Sequence, residues 1–385
     1  MISMTNDLID ESRKPLATIW YLAWPIMLEQ VLSMLVNYVD TAMVGVLGAS
    51  STAAVALTNP ATWLLNGIFA GVSIGFSVPI GRFIGAGRVE DAKRVVRQSV
   101  LAIGICGVLM TVLMQLAAPY LPVWLGGEEA IRADATSYLS IISLSYVFNM
   151  SVQICSATLR CTGDTRTPLI FNSATNLINM VLNFFFIYPT RTVAVFGRSF
   201  TIWGAGLGVS GAAIASAIAI AFSGIMLMRA LFLKKAVCRI SLRDSFRFDP
   251  GPWKDMFRLG TPTAFERMSV NIGQFAMTAI VTTLGTASLA AHSLAITAES
   301  ITYMPAFGFS AAVTTLVAQS LGANKPELAK RFAKMCVIGC CIFMTGMAFV
   351  LFFCGDFLIS IATPDAQVIL IGAADGARGV APGFR

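Results

Sequence analysis

The stretch PIMLEQVLSMLVNYVDTAMVGVLG, residues 25–48, decides the fold, because a second copy of it follows further along the chain. A shift of 237 residues places it on PTAFERMSVNIGQFAMTAIVTTLG, residues 262–285, with the proline, the glutamate, Thr-Ala and Leu-Gly in register. The same shift places Gly71 on Gly308 and Gly85-Ala86 on Gly322-Ala323. A shared helix-rich composition gives scattered identities, whereas this register predicts an internal repeat.

The composition around the repeat indicates a membrane protein. Of the 385 residues, 56% are apolar and only 12% are charged, which excludes an ordinary soluble globular protein. Apolar stretches of about 20 residues recur, each long enough to cross the hydrocarbon layer as a helix. We place membrane helices at 17–46, 52–79, 96–121, 135–159, 168–188, 206–233, 257–284, 288–317 and 335–357. The N-terminus carries acids ahead of Arg13 and Lys14, unlike a cleaved signal peptide, so the first segment is expected to remain a membrane helix.

Basic residues predict the orientation of these helices. One set of alternating loops holds 21 of the 27 Lys and Arg residues, whereas the opposite loops hold only Arg132, Arg191 and Arg198. Because basic loops stay on the cytoplasmic side, we expect a cytoplasmic N-terminus in a multi-pass protein of the cell's inner (plasma) membrane.

The repeat divides the chain into two lobes. Its shift spans six helices, an even number, so both copies enter the membrane in the same direction, as in many secondary transporters. We therefore expect an all-α polytopic protein built from two parallel-repeat bundles, the second containing three to four helices. The predicted divisions are a cytoplasmic segment 1–16, an N-lobe 17–233, a basic cytoplasmic linker 234–255, an incomplete C-lobe 256–374 and an aberrant tail 375–385.

The tail carries an expectation of its own. By the repeat, Arg385 corresponds to Phe148, and residues 375–385 are too polar and too rich in glycine to complete a span. We expect the chain to be C-terminally truncated, and impaired or inactive as a transporter on its own.

Several kinds of chemistry are not expected from this sequence. Eight cysteines without a Cys-x-x-Cys pair and a single histidine make a zinc site or disulfide framework improbable. The Gly85-Ala-Gly-Arg88 segment lacks the Gly-Lys-Ser/Thr of a phosphate loop, so ATP is not expected as the energy source. No constellation of catalytic groups is evident, so the chain is not expected to be an enzyme, to need a cofactor or to bind nucleic acid.

Three short motifs, in this order and spacing, resemble the MATE family of multidrug and toxic compound extrusion transporters. They are Val39-Asp-Thr-Ala-Met-Val-Gly45, Gly85-Ala-Gly87 before a basic helix, and Arg160-Cys-Thr-Gly-Asp164 with Pro168. The resemblance covers roughly residues 15–374. It implies a V-shaped pair of bundles that exports amphipathic, often cationic, compounds in exchange for Na⁺ or H⁺.

One stripe of polar residues in the first helix is the sharpest candidate site. Glu29, Ser33, Asn37 and Asp40 are spaced by 4, 4 and 3 residues, which puts them on one helical face. An ionised Asp at the bilayer centre costs roughly 2.5 to 3.5 kcal/mol, so intramembrane acids usually have a function. We expect Asp40 to couple transport to an ion, by taking up and releasing a proton near neutral pH. The alternative is an Asp that neighbouring Asn and Ser side chains satisfy without a transport role.

The fifth predicted helix carries a matching stripe. Asn172, Asn176, Asn179 and Asn183 are spaced by 4, 3 and 4 residues and share one face. With Asp40, oxygens of Asn179, Asn183 and Ser216 could form a cage for Na⁺, with Asp40 and Asn179 as its principal metal ligands. In resembling family members the position of Asn183 is often Asp, so the coupling ion stays open. These Asn residues could equally cement helix pairs by hydrogen bonding.

The remaining candidates line the expected substrate cavity. They are Glu29, Asn37, Asn176, Glu266 and Glu299. Glu29 and Glu266 are repeat mates, whereas the mate of Asp40 is Met277, so ion coupling is expected to be asymmetric and centred on the first lobe. The single His292 is expected to pack or cap rather than carry protons.

Two functions compete at this point. The first is an ion-coupled exporter of small organic cations, monomeric and surrounded by membrane lipid, since intramembrane acids outnumber the single intramembrane Arg267. The second is a flippase of lipid-linked sugars or another amphipathic anion, which would need several Arg or Lys residues within the spans. A non-transporting fragment is a third possibility.

The uneven distribution of basic residues generates a prediction of topology. Single cysteines at position 128 (Glu128→Cys) and position 243 (Arg243→Cys) are introduced into a cysteine-free background. A membrane-impermeant thiol reagent should label position 128 in intact cells and position 243 only after permeabilisation. Labelling of position 243 from the outer face of intact cells would contradict the orientation.

Overall fold

The structure is a computed structural model, and it describes residues 8–9, 15–195, 198–233, 238–241, 244, 246–282, 292, 296, 300 and 303–362. The helices are α1 (Pro15–Gly45), α2 (Ala49–Gly85), α3 (Val89–Ala117), α4 (Leu121–Trp124), α5 (Glu129–Ser143), α6 (Tyr146–Cys161), α7 (Arg166–Phe186), α8 (Gly208–Leu233), α9 (Pro250–Thr282), α10 (Ala306–Gly322) and α11 (Pro326–Ala362). Between α7 and α8 lie strands β1 (Pro189–Val195) and β2 (Arg198–Ala205). In the described part, six helices are long and apolar enough to cross a membrane, or seven with the bent pair α5 and α6. The predicted polytopic helical fold is confirmed.

Several helices are longer than their apolar segments predicted. The segment 96–121 is observed as Val89–Ala117, and 335–357 as Pro326–Ala362. Their first turns carry Glu90, Asp91 and Glu327, charges that a hydropathy window excludes but that stabilise a helix N-terminus. Of the segment 288–317, the structure describes Ala306–Gly322 as a helix, with Pro305 at its N-cap. The expected C-lobe beyond residue 362 and the tail 375–385 lie outside the described residues.

Two local features differ from the predictions. The single span 135–159 is two helices, α5 and α6, bent by 50°. At the break the Ser145 hydroxyl donates to the carbonyl of Ile142 at 2.6 Å, a side-chain bond that competes with helix continuation. The connection after α7 is an antiparallel hairpin, in which Val193 faces Phe200. Its β-branched residues favour strands, but the sequence analysis treated it as a loop.

The first lobe, α1 to α8, is built around α2. This helix packs on α3, α5 and α6, and a core of Phe69, Phe76, Met150 and Leu159 fills the space between them. Gly107 and Gly224 lie where a neighbouring backbone, Val147 and Phe148 respectively, comes closest. In a membrane, moving apolar side chains from lipid into the protein interior gives little free energy, because the lipid tails are equally apolar. Close packing of this kind therefore stabilises the bundle.

The connection between the lobes docks on α3 through one buried glutamine. Gln98 donates to the carbonyl of Arg247 at 2.8 Å and accepts from the Asp249 amide and the Trp253 indole at 3.2 and 3.1 Å. Arg94 also pairs with Asp249, and this hydrogen bond holds the pKa of the Asp249 carboxyl below its ordinary value. The basic linker is therefore fixed to the first lobe where α9 begins.

The two lobes meet through contacts that the repeat relates to each other. A Cβ atom added to Gly71 would lie 2.6 Å from the carbonyl oxygen of Gly260, and one added to Gly308 would lie 3.0 Å from that of Ala23. Gly308 and Gly260 are the mates of Gly71 and Ala23 under the 237-residue shift. These two contacts are thus related to each other by the same shift as the sequence repeat.

A second related pair closes the lobes at the end that carries the basic loops. Gly85 lies against the carbonyl of Gln319, and its mate Gly322 lies against the carbonyl of Arg82, the mate of Gln319. We call these four residues of α2 and α10 the basic-end seal. Neither glycine has room for a side chain while the seal is closed.

The seal predicts an effect of adding one methyl group. Gly85→Ala forces a Cβ atom into the Gln319 carbonyl, so it should lower the melting temperature of the purified protein and separate the lobes at this end. Gly104→Ala is the matched control, because nothing lies within 4 Å of its added Cβ and alanine is favoured over glycine in a helix by up to about 1 kcal/mol. Equal melting temperatures for the two variants would contradict a close-packed seal.

Candidate functional site

Polar residues of α1 and α7 form a ladder between the two helices. Asn172 donates to Glu29 at 2.7 Å, Asn176 to Ser33 at 3.1 Å and Asn183 to Asp40 at 2.8 Å. Each pair is separated by 143 residues, so the two helices run parallel with a constant register. We call these pairs the α1–α7 ladder. Helix α8 is hydrogen-bonded to the α7 side of the ladder. Ser223 donates to Asn172 at 2.9 Å, and Ser216 contacts Asn179 at the same distance.

The structure brings Asp40, Asn179, Asn183 and Ser216 together at one end of the ladder. Asp40 is half-buried, whereas Asn179 and Asn183 are buried. We call this group the Asp40 cluster. Its members come from α1, α7 and α8, and the two sequence stripes meet here as predicted.

The amide of Asn179 lies between Asp40 and Ser216, and its orientation decides which of these neighbours is satisfied. With its amide nitrogen towards Asp40, Asn179 donates to both carboxylate oxygens, at 2.9 and 2.6 Å, and accepts from Ser216 at 2.9 Å. In the opposite orientation, it accepts from Asn183 at 3.2 Å and donates to Ser216 at 2.9 Å. Its carbonyl then faces the Asp40 carboxyl, which is favourable only if that carboxyl carries a proton to donate. The first orientation therefore suits an ionised Asp40, and the second leaves the Asn179 carbonyl against an acceptor unless Asp40 is protonated.

The predicted Na⁺ cage needs a different arrangement from the one observed. Asn183 turns its amide nitrogen, not its oxygen, towards Asp40, and its Oδ1 atom is buried without a hydrogen-bond partner among the described residues. An oxygen cage would require this amide to rotate so that Oδ1 faces Asp40. The residues can supply oxygen ligands, but the geometry described is that of a hydrogen-bond network.

Glu29 does not lie where the sequence analysis predicted. It is only 6% exposed, and its Oε1 atom accepts from the Arg160 guanidinium and from Asn172, both at 2.7 Å. It therefore belongs to an internal ion pair rather than to a substrate cavity. Arg160 had been assigned to a basic loop, but it lies in the last turn of α6 and turns inwards.

A cavity of about 280 Å³ lies between α1 and the residues that precede α10. Asn37 lines it, and Asn176 lies behind it, bonded to the lining residue Ser33. Amide, hydroxyl, aromatic and thioether groups line the cavity: Gln30, Ser33, Met34, Asn37, Tyr38, Thr41, Ser300 and Met304. It is near the lower end of the volumes that bind small molecules.

The structure describes one of the two predicted acids of the second lobe. Glu266 lies on an exposed face of α9, and Glu299 lies outside the described residues. The neighbouring Arg267 lies 4.8 Å from the ring centroid of Phe307 and packs against Gly67, with the position of its guanidinium set by this cation–π contact. His292 is buried, in agreement with a packing role.

Sequence reasoning missed two functional-site features. Arg160 was missed because its position at a helix end gave no sign that it points inwards, and Ser223 because α8 is apolar around it. The contacts of these residues depend on how α6 is placed against α1 and α8 against α7, which the sequence of a single helix does not show.

Comparisons with known proteins agree with this architecture. The MatE family profile matches residues 25–185 and 262–381. A probable multidrug resistance protein NorM of Thermotoga maritima is 31% identical over 94% of this chain and 75% of its own length. An FAD transporter of Shewanella oneidensis is 25% identical over 86% of this chain and 70% of its own length. A crystal structure of a MATE protein in complex with MaL6 superposes with a TM-score of 0.85 at 24% identity, over 97% of this chain and 80% of that one.

The ladder predicts which asparagine is structurally important. Asn172→Ala removes a donor from the buried Glu29 carboxylate, so it should lower the free energy of unfolding by about 1 to 3 kcal/mol. Asn66→Ala is the matched control, because Asn66 is exposed on α2. Denaturant unfolding of the two variants in detergent measures the difference, and a loss of stability as small for Asn172→Ala as for Asn66→Ala would contradict the ladder.

Proposed function

The chain belongs to the MatE family, and we propose that it is a secondary active antiporter that exports amphipathic organic cations in exchange for an ion. Its family consists of membrane transporters, so the protein is a multi-pass membrane transporter and not an enzyme. The Asp40 cluster supports the other part of the proposal, the exchange with an ion. In it, an intramembrane carboxyl accepts a hydrogen bond from Asn183 and lies within reach of the Asn179 amide.

The coupling ion that this geometry favours is the proton. Asp40 accepts from Asn183 and can accept from Asn179 when ionised, and it can donate to Asn179 when protonated. Ser216 stays hydrogen-bonded to Asn179 in both states. Exchange with Na⁺ is the second candidate. It is supported by the Oδ1 atom of Asn183, a member of the cluster, which has no hydrogen-bond partner among the described residues.

The cavity supports an amphipathic substrate. Methionine side chains adapt to different apolar shapes, and the Tyr38 ring offers a face to an organic cation. Among the lining residues that the structure describes, there is no Arg or Lys to hold a pyrophosphate. This favours an exporter of cations over a flippase of lipid-linked sugars, although the relative from Shewanella oneidensis carries the name of a transporter for FAD, an anion.

The proposed cycle places the basic-end seal at the cytoplasmic face of the inner membrane. Basic loops flank the seal, and such loops remain in the cytoplasm. In the state described, the lobes are joined at that face, so substrate taken up from the cytoplasm requires the seal to open and the lobes to rock about their common axis. A monomer provides both lobes.

Neutralising the central carboxyl tests the proposal. Asp40→Asn should abolish ion-driven ethidium efflux from cells that lack other exporters, because the side chain can no longer exchange a proton. Asp134→Asn is the matched control, since Asp134 is an exposed acid on α5. Undiminished efflux by Asp40→Asn at equal expression would reject the coupling role.

Replacing the ions tests which one is exchanged. In proteoliposomes at constant pH, a proton antiporter should transport equally well with Na⁺ and with choline, and Asn179→Ala should slow both conditions alike. A Na⁺ antiporter should slow when Na⁺ is removed, and Asn179→Ala should abolish that dependence. A Na⁺ dependence in the unmodified protein would overturn the preference for protons.

A further inference from the structure

A buried ion pair connects the α1–α7 ladder to the end of α6. The Arg160 guanidinium lies 2.7 Å from Glu29 Oε1, and the two side chains are only 20% and 8% exposed. Removing two charges from water costs several kcal/mol, and a buried ion pair often stabilises a protein less than apolar residues of the same volume would. Stability of the first lobe is therefore a poor explanation for a charged pair at this place.

The same end of α6 is held by the second lobe. Gln319 of α10 donates to the carbonyl of Cys161 at 2.7 Å, and Thr315 donates to that of Arg160 at 3.4 Å. Gln319 is fully buried and is also the residue whose carbonyl meets Gly85 in the basic-end seal. The last turn of α6 thus contacts the seal through its backbone and α1 through the Arg160 side chain.

The other end of this connection is the Asp40 cluster. Glu29 and Asp40 belong to the same helix, 11 residues apart, which is about 16 Å along an α-helix. Both are bonded to α7 in the same register, so a shift of α1 against α7 that alters the Asp40–Asn183 bond also moves Glu29. A rigid helix with discrete hydrogen-bonded registers can carry such a displacement.

We propose that the Glu29–Arg160 ion pair is a positioning element that transmits the state of the Asp40 cluster to the basic-end seal. When Asp40 changes its charge, α1 shifts relative to α7. Through the ion pair, Glu29 then displaces the end of α6, to which Gln319 is hydrogen-bonded. This inference rests on the proposed coupling role of Asp40. It adds that the signal passes through Glu29 and Arg160, two residues that belong neither to the Asp40 cluster nor to the cavity lining.

The test is a double-mutant cycle on the opening of the seal. Spin labels at Glu90→Cys and Glu327→Cys, in a cysteine-free background, report the distance between the lobes by pulsed electron resonance. These positions are repeat mates, and both carboxylates are over 80% exposed in surface pairs that contribute little. Asp40→Asn, which imitates the neutral carboxyl, should change the ratio of short to long distances by about fivefold or more.

The proposal predicts that this response depends on the ion pair. In Glu29→Gln or Arg160→Gln, adding Asp40→Asn should change the ratio less than twofold, about the smallest change that counts as coupling. Arg160→Lys, which keeps the charge, should retain the response, and so should Arg132→Gln, a control whose arginine binds the carbonyl of Gly127. If Arg160→Gln does not fold, Gln319→Ala cuts the same connection at its other end and should likewise abolish the response.

The possible failures are distinguishable. A full response in Glu29→Gln and Gln319→Ala would overturn the transmission through this pair while leaving the role of Asp40 intact. If Asp40→Asn abolishes efflux but leaves the ratio of short to long distances across the seal unchanged, that result would also overturn the transmission alone. Undiminished efflux by Asp40→Asn would overturn the proposed function itself.

Discussion

The structure depends on one constraint, that polar groups inside a membrane must find partners within the protein. Helix α1 carries Glu29, Ser33 and Asp40 along one face, and each would be costly against lipid. Helix α7 provides an asparagine that donates a hydrogen bond to each of them, in a constant register. This ladder fixes the orientation of both helices, and it gathers the cluster and the internal ion pair at defined positions along them.

The repeat and the ladder make different contributions. The repeat gives the two lobes matching contacts, so that Gly71 and Gly308, and Gly85 and Gly322, bring the backbones together in related ways. The charged groups break this symmetry, because Glu29 is buried in an ion pair while its mate Glu266 is exposed on α9. A symmetric frame with an asymmetric set of charges suits a transporter in which one lobe responds to the ion and both lobes move.

Much of the fold and part of the site could be predicted from the sequence. Helical spacing within one segment was enough to align Asp40 with Glu29, and Asn179 with Asn183, because residues three or four apart share a face. The inward turn of Arg160 could not be predicted in this way, since it depends on how far α6 and α1 are displaced along the membrane normal. The break at Ser145 and the hairpin after α7 were missed because composition separates apolar from polar segments but does not detect local hydrogen bonds that compete with a helix.

The central claim is that Asp40 gains and loses a proton inside the first lobe, with Asn179 turning to match. Infrared difference spectroscopy of the purified protein between mildly alkaline and mildly acidic pH measures this directly, through the carbonyl stretch of a protonated carboxylic acid. A band should appear on acidification, be absent from Asp40→Asn and shift in Asn179→Ala, where the hydrogen-bond acceptor is lost. A spectrum in which no band depends on Asp40 would contradict it.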